Sequence, residues 1–277
     1  MTYRRMVSAF AAAGIDSPEW DAQLLIAHFC RVSREEILLN PDKNYDSEEL
    51  DAAARKRADR FPLQYLLGEW QFFRQTYKVS PACLIPRQDT ERLVEEAIRL
   101  LPQNAFFVDL CTGSGCIAIS ILCERPDTTA LAVDFSDEAL QLAAENAKRN
   151  GVEGRIALKK ADLLTGSIEE WATGCSRPAA ILSNPPYIPT NRVDELSREV
   201  GAEPKMALDG GRDGMIFYRR FLETLPQWLP PDGFFLFEIG FDQREAICRL
   251  AAQHALSCKI TKDYGGNDRV AELRKQN

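Results

Sequence analysis

The chain has 277 residues and a formal net charge of −7 at pH 7. Hydrophobic residues make up 45% of it and charged residues 27%, which suits one large globular domain with a smaller one. The acidic balance argues against direct nucleic-acid binding, because such proteins normally present a basic surface that neutralises phosphates. No apolar stretch reaches the roughly 18 residues of a membrane span, and Ala11–Ala13 is too short for a signal-peptide core. We therefore expect a cytoplasmic protein without membrane contact.

The cysteine and histidine pattern excludes several kinds of site. The 8 cysteines contain no C-x-x-C pair, and there are only 2 histidines, both within helical patterns. A zinc site needs clustered ligands, so we expect no metal. Catalysis by a Cys–His pair is equally improbable. Several cysteines lie inside apolar patterns, which predicts reduced thiols that pack as small hydrophobic groups.

In chain order, residues 1–75 are expected to form a small helical domain. Ser33 with Glu36 and Asp46 with Glu49 have the spacing of capping boxes, which mark helix starts. Aromatic residues between 70 and 79 then predict a hairpin or linker, and we assign 76–89 to it.

From Thr90 onward, strand and helix patterns alternate over 90–277. This alternation predicts an α/β fold in which a mostly parallel, Rossmann-like sheet carries helices on both faces. The last two strands, joined by a Gly-Gly turn, should form an antiparallel hairpin. The predicted strands are 105–110, 130–134, 155–160, 179–183, 233–239, 255–262 and 268–273.

A glycine turn follows the first of these strands. Gly113 and Gly115 permit tight backbone torsions and close approach of a ligand, and the helix that follows offers free N–H groups at its start. Asp134 ends the next strand, where a carboxylate can accept hydrogen bonds from ribose hydroxyls. The turn and Asp134 together predict a nucleoside site.

An NAD site is an alternative, because Gly113, Gly115 and Ala118 also satisfy G-x-G-x-x-A. Asp109 would face a pyrophosphate unfavourably but a cationic amino-acid group favourably. The turn also begins only after about a hundred residues, whereas dinucleotide folds usually open with it. NAD binding would also leave the Asn184-Pro-Pro-Tyr187 motif, described next, without a role.

That motif is Asn184-Pro-Pro-Tyr187, which directly follows a short apolar strand. Pro185 and Pro186 hold φ near −65° and lack an N–H, so the chain leaves the strand as a stiff loop. The Asn184 side-chain oxygen and the Pro185 carbonyl can both accept hydrogen bonds from one NH2 group, with Tyr187 as an apolar wall. Alone, the motif could equally be a proline-rich surface turn.

Together, these motifs resemble the class I S-adenosylmethionine-dependent methyltransferases that act on amide or amine nitrogens. Further segments are similar, in the same order, to the release factor glutamine methyltransferases of the HemK/PrmC family. The resemblance runs from about residue 15 to the C-terminus. The segments are Pro62–Gly68, Ile85–Val94, Glu203-Pro204, Ala207-Leu208, Gly210–Gly214, Glu238–Gly240 and Asp268–Val270.

The resemblance implies a seven-stranded class I methyltransferase sheet and a set of site residues. Catalytic roles fall on Asn184, Pro185 and Tyr187. Substrate binding is implied for these three with Pro186, Arg87 and Thr90. Binding of S-adenosylmethionine, and of its product S-adenosylhomocysteine, is implied for Asp109, Cys111, Thr112, Gly113, Ser114, Gly115, Asp134, Phe135, Asp162, Leu163 and Asn184.

Two positions among the candidate site residues depart from the family pattern. Cys111 stands where the turn usually has glycine, and we expect it to be tolerated only if its φ is negative. Leu163 follows Asp162 where an aromatic residue is frequent, so adenine would pack against an aliphatic chain and cofactor affinity would be lower.

The predicted function is methylation of the N5 nitrogen of glutamine in the Gly-Gly-Gln motif of class-1 peptide chain release factors, and we expect the enzyme to be a monomer. The substrate comes from the resemblance; the residues establish only a nitrogen acceptor. A methyltransferase for a ribosomal-protein glutamine and an adenine-N6 methyltransferase acting on nucleic acid remain alternatives. The acidic charge disfavours the second. A cofactor-binding adaptor without catalysis is disfavoured because both acceptor positions are intact.

Overall fold

A computed structural model of the chain describes residues 1–276. It contains two compact units. The first comprises Met1–Glu69 with Leu196–Ala202, and the second comprises Trp70–Glu195 with the chain from Glu203 onward. The domain limits at 75 and 89 stay predictions.

The helices alternate with strands in the second unit only. The α-helices are α1 (Tyr3–Ala12), α2 (Pro18–Cys30), α3 (Arg34–Leu39), α4 (Glu48–Ala58), α5 (Leu63–Leu67), α6 (Gln88–Leu100), α7 (Cys116–Glu124), α8 (Asp137–Arg149), α9 (Ile168–Trp171), α10 (Thr190–Val193), α11 (Arg198–Gly201), α12 (Ile216–Thr224) and α13 (Arg244–Gln253). The strands are β1 (Glu69–Phe72), β2 (Gln75–Lys78), β3 (Phe106–Leu110), β4 (Thr129–Asp134), β5 (Ile156–Lys160), β6 (Ala180–Ser183), β7 (Phe234–Glu238), β8 (Leu256–Lys262) and β9 (Asp268–Lys275).

The first unit is helical, as the sequence predicted, and packs around apolar side chains that include Phe10, Leu25 and Leu50. The predicted cap at Ser33 is confirmed, because its hydroxyl accepts from the Glu36 N–H. The cap predicted at Asp46 is wrong. Ser47 caps α4 by accepting from the Leu50 N–H, while the Asp46 carboxylate accepts from the side chain of Asn44 instead.

The second unit contains a 7-stranded sheet of order β5-β4-β3-β6-β7-β9-β8. Strands β3 to β7 are parallel, and β9 runs antiparallel to β7 and β8. All seven predicted strands and the terminal hairpin are confirmed. The strand order reverses at β3, which pairs with β4 on one side and β6 on the other. Open α/β sheets bind ligands beyond the carboxyl ends of the strands at such a reversal.

Alternating side chains of the central strands supply a core on each face of the sheet. In β7, Phe234 and Leu236 join one core, and Phe235 and Phe237 join the other. This alternation follows from the two-residue repeat of a strand, and burial on both faces explains why the central strands are continuously apolar. These two cores pack the helices against both faces of the sheet.

The expectation of reduced thiols is wrong for one pair. Cys248 on α13 and Cys258 on β8 form a disulfide, with their Cα atoms 5.3 Å apart. Helix α13 packs directly on β8, which brings the two residues within the Cα separation that a disulfide requires. Sequence spacing alone carries no information about that packing.

Over residues 1–276, no helix is long and apolar enough to cross a membrane. The same residues contain no group of three or more His, Cys, Asp or Glu side chains arranged to hold a metal ion.

Candidate active site

A cavity of about 500 Å³ opens at the carboxyl ends of β3, β4 and β6, within the range of small-molecule sites. Most of the residues singled out from the sequence line it. Asp109, Gly115, Pro185 and Tyr187 do not. The lining residues from the predicted set are Arg87, Thr90, Cys111, Thr112, Gly113, Ser114, Asp134, Phe135, Asp162, Leu163, Asn184 and Pro186.

The glycine turn is fixed by hydrogen bonds to the neighbouring strand. The Thr112 N–H donates to the Val133 carbonyl over 3.1 Å, and the Gly113 N–H donates to Asp134 Oδ2 over 2.8 Å. Gly115, with φ of +79°, begins α7 directly against Ile119: a Cβ there would lie 2.7 Å from the Ile119 Cδ1 atom. Glycine is therefore favoured at Gly115 by its positive φ, and any side chain there would also have to displace the end of Ile119.

Cys111 contradicts the expectation of a negative φ. Its φ is +58°, in the left-handed region that costs a non-glycine residue roughly 1–2 kcal/mol. The strand before it and the hydrogen bonds that follow it fix the path of the turn, so the backbone accepts this cost. Burial raises the pKa of the Cys111 thiol well above its usual value, which keeps the thiol protonated.

Two carboxylates accept hydrogen bonds from the turn. Asp134 accepts from the N–H groups of Gly113 and Ser136, at 2.8 and 3.0 Å, and burial raises its pKa. Asp109 is fully buried and accepts from the Thr112 hydroxyl over 2.6 Å. Burial raises the pKa of Asp109 to about 7. Buried carboxyl groups whose pKa is raised to near 7 often belong to functional sites.

Asp162 and Leu163 form another part of the cavity wall. The Asp162 carboxylate accepts from the Thr165 hydroxyl over 2.7 Å and from the Leu164 N–H over 2.9 Å. The Thr165 hydrogen bond is the main cause that lowers the Asp162 pKa. Leu163 is buried and packs with the core on one face of the sheet.

Asn184 is held by a residue far away in the chain. Its Nδ2 donates to the Thr90 hydroxyl oxygen over 3.3 Å, across 94 residues of sequence. Ser183, just before it, donates to the Leu110 carbonyl over 2.7 Å and so joins the loop to β3. An amide whose NH2 group is engaged by Thr90 presents its carbonyl oxygen on the other side. Thr90 was predicted from the resemblance, and the structure gives it this contact.

The structure does not bring Tyr187 to the cavity. Its hydroxyl donates to Glu238 Oε1 over 3.2 Å, and its ring packs with the core. Glu238 is fully buried at the end of β7, and burial raises its pKa to about 7. The wall role predicted for Tyr187 stays a prediction.

Sequence reasoning missed Glu203. Its side chain is 1% exposed, forms an ion pair with Arg87, and accepts from the Ile85 N–H over 2.8 Å. Glu203 thus secures the Ile85–Arg87 segment, which lines the cavity. The only signal in the sequence was the Glu203-Pro204 pair among the family-like segments.

Comparison with known proteins agrees with this architecture. Residues 2–68 match the family model described as the PrmC N-terminal domain, and residues 90–224 match the methyltransferase small domain. A methyltransferase structure from Pyrococcus furiosus covers 71% of this chain and 86% of its own, with a TM-score of 0.53 and 18% identity, and so supports the fold. The fold and the matched domains define an α/β methyltransferase.

Curated relatives identify the family. A release factor glutamine methyltransferase from Caulobacter vibrioides is 37% identical over 267 residues, covering 93% of this chain and 90% of the relative. A second, from Geobacter sulfurreducens, is 37% identical over 265 residues, covering 94% and 90%. The chain belongs to the release factor glutamine methyltransferase family.

Proposed function

We propose that this protein transfers a methyl group to the N5 nitrogen of the glutamine in the Gly-Gly-Gln motif of class-1 peptide chain release factors. The observation that carries the proposal is the Asn184 amide, held by Thr90 over 3.3 Å in the wall of the cavity that the glycine turn also lines. The family of the curated relatives supplies the substrate class.

The proposed methyl donor is S-adenosylmethionine, whose sulfonium supplies an electrophilic methyl group when bound. The residues present fit it. Ser114 Oγ in the cavity wall is a buried atom without a hydrogen-bond partner among residues 1–276, and so is Oδ1 of Asp109, whose other oxygen accepts from Thr112 of that wall. Buried polar atoms normally have partners, so this part of the site retains capacity for a polar ligand. We assign the ribose hydroxyls to the Asp134 carboxylate. The remaining contacts are assigned to Cys111, Thr112, Gly113, Gly115, Phe135, Asp162, Leu163 and Asn184.

The role of the Asn184–Tyr187 loop is to hold and polarise the acceptor nitrogen. A glutamine amide is a poor nucleophile because its lone pair is delocalised into its carbonyl. We assign two acceptors to the NH2 hydrogens, the Asn184 side-chain oxygen and the Pro185 carbonyl. They stabilise positive charge that develops on the nitrogen. They also fix its direction of approach, and such positioning can lower a barrier by roughly 7–11 kcal/mol.

No general base is required in this scheme. The nitrogen that has accepted a methyl group is strongly acidic and loses its proton to water. Pro186, Arg87 and Thr90, which line the cavity, complete the proposed substrate contacts, and Tyr187, which packs on the core, supports the loop from behind. The ion pair between Arg87 and Glu203 supports this assignment, because it secures the chain at the cavity wall.

The helical region 1–75 is proposed to dock the release factor, with the enzyme acting as a cytoplasmic monomer. Leu38 and Leu39 on α3 are 54% and 79% exposed, which is unusual for two adjacent leucines and suits a protein contact. Replacing both by serine should raise KM for an intact release factor and leave KM for a short Gly-Gly-Gln peptide unchanged. Equal values of KM for the intact factor in variant and wild type would refute docking at α3.

The test of the function is methylation of candidate substrates with isotope-labelled S-adenosylmethionine, read by mass spectrometry. We expect one methyl group on the glutamine of Gly-Gly-Gln, and none on a release factor whose motif is changed to Gly-Gly-Asn. Labelling of a ribosomal-protein glutamine or of adenine in nucleic acid, with an unlabelled release factor, would overturn the proposal in favour of that substrate.

A further inference from the structure

Gln243 occupies an unusual position for a glutamine. It is the N-cap residue of α13, a place where Ser, Thr, Asp or Asn normally bonds to the first helical N–H groups. Its side chain makes no such cap and is only 8% exposed. A buried amide that does not serve its own helix must satisfy its hydrogen bonds elsewhere.

The side-chain amide of Gln243 connects three loops at the candidate site. Nε2 donates to the Tyr187 carbonyl over 3.0 Å and to the Gly214 carbonyl over 3.2 Å. Oε1 accepts from the Gly240 N–H over 2.9 Å. These loops follow β6, precede α12 and follow β7. One planar group therefore fixes their separation, with both NH2 hydrogens and the oxygen in use.

The Tyr187 region also lies in close contact with a glycine segment, Gly210–Gly214. A Cβ at Gly210 would lie 2.7 Å from the Pro186 carbonyl oxygen, and one at Gly214 would overlap the Tyr187 carbonyl. The Gly210 N–H donates to the Ile188 carbonyl over 2.8 Å. The loop is therefore held by this glycine segment and by the Gln243 amide, with little room to move.

We propose that Gln243 is a positioning residue for methyl transfer. By holding the Tyr187 carbonyl, it fixes the loop so that the Pro185 carbonyl and the Asn184 amide meet the substrate nitrogen together. The φ angles of Pro185 and Pro186 are fixed by their rings. A backbone rotation at Tyr187 would therefore displace the Pro185 carbonyl and Asn184, because the two prolines between them cannot adjust φ. This inference rests on the proposed function, because the acceptors that it positions are assigned there.

The test compares Gln243→Met, which keeps the side-chain length, with Gln243→Glu, which turns an oxygen toward two carbonyls. We expect kcat to fall about 10²-fold in the methionine variant and further in the glutamate variant, since misplacement by about 1 Å can cost that much. S-adenosylhomocysteine affinity and KM for S-adenosylmethionine should stay within twofold of wild type. The matched controls are Gln227→Met and Gln227→Glu, because Gln227 also donates to a carbonyl, that of Thr224 at 3.2 Å, but lies on the surface.

Hydrogen exchange of the free protein separates this inference from the proposed function. We expect the Ile188 and Gly210 amides to exchange at least tenfold faster in Gln243→Met than in wild type or in the Gln227 variants. Unchanged exchange, or a kcat within twofold of wild type, would overturn the positioning role. Failure of the wild-type protein to methylate Gly-Gly-Gln would count against the proposed function. The exchange measurement does not depend on that activity, and it would still show whether Gln243 holds the loop.

Discussion

The Asn184 side chain donates to the Thr90 hydroxyl over 3.3 Å, so the first helix of the methyltransferase domain sets the orientation of the residue that we assign to the acceptor nitrogen. Thr90 is 2% exposed, which shields this bond from water. An asparagine amide can rotate so that its oxygen and nitrogen exchange places. The Thr90 contact selects the arrangement in which the oxygen is directed away from Thr90.

Removing this contact should impair turnover. Thr90→Val keeps the shape but offers no oxygen to Asn184, so a buried hydrogen bond of about 0.5–1.5 kcal/mol is lost and kcat should fall up to about tenfold. Thr90→Ser retains the hydroxyl and should stay near wild type. Steady-state methylation of a Gly-Gly-Gln fragment measures both, and equal loss in the two variants would contradict the orienting role.

Asn184→Ala removes the proposed acceptor itself. Deleting one preorganised polar group from an active site typically lowers kcat by roughly 10²–10³, and we expect a loss in that range. S-adenosylhomocysteine affinity should change much less, because Asn184 supplies only one of the many contacts assigned to the cofactor, whereas it is one of only two acceptors assigned to the nitrogen. Rapid-quench methyl transfer and titration calorimetry check the two statements. A folded variant with near-wild-type turnover would exclude the catalytic role.

Asp134→Ala tests the cofactor assignment. If Asp134 accepts from the ribose hydroxyls, losing these charge-assisted hydrogen bonds should weaken S-adenosylhomocysteine binding by roughly 1.5–3 kcal/mol. Asp134 also accepts from the Gly113 and Ser136 N–H groups, so circular dichroism must first establish that the variant is folded. Unchanged affinity in calorimetry would remove Asp134 from the site.

Asp109 should make stability depend on pH. Burial raises its folded pKa to about 7 from an unfolded value of 3.8, so the folded state binds the proton more tightly. This contribution to stability is complete below the unfolded value and is lost as pH rises through about 7. Between pH 5 and pH 8 it should fall by roughly 2–3 kcal/mol.

The comparison that isolates this effect uses Asp109→Asn, which cannot titrate. Burial also raises the pKa of Glu238 to about 7, and this changes stability with pH in the same direction. The pH dependence of wild-type stability alone therefore does not isolate Asp109. The difference in free energy of unfolding between wild type and variant, from urea titrations at the two pH values, cancels the Glu238 contribution. If wild type and Asp109→Asn differed in free energy of unfolding by the same amount at pH 5 and at pH 8, the pKa of Asp109 would not be raised.

Cys111→Gly should stabilise the protein. The residue has φ of +58°, and glycine adopts that conformation without the roughly 1–2 kcal/mol that a side chain costs. Loss of the half-buried side chain and greater freedom of the unfolded chain offset part of the gain, leaving about 0.5–1 kcal/mol. Thermal unfolding gives the value, with Cys175→Gly as a control cysteine whose φ is not positive. A lower melting temperature would mean that thiol packing outweighs strain.

Patterns confined to neighbouring residues were sufficient for most of the fold. Each strand from β3 to β9 could be predicted, because the buried strands are short apolar runs bounded by turn residues and a half-exposed edge strand such as β8 alternates apolar and polar side chains. The same reasoning placed Asp134 and Asn184 at strand ends, where parallel sheets gather ligand-binding side chains. Local patterns failed where two neighbours compete for one role, as at the start of α4, where Ser47 rather than Asp46 caps the helix.

The sequence by itself therefore determined the α/β class, the order of the elements and which residue types stand at the carboxyl edge of the sheet. Only the tertiary structure decided which of them touch. Thr90 reaches Asn184 across 94 residues, and Gln243 reaches Tyr187 across 56. Such contacts depend on strand order and helix packing, which place distant segments side by side through many weak interactions that no local pattern records. The positive φ of Cys111 has the same origin, because the surrounding fold, not the residue, sets the path of that turn.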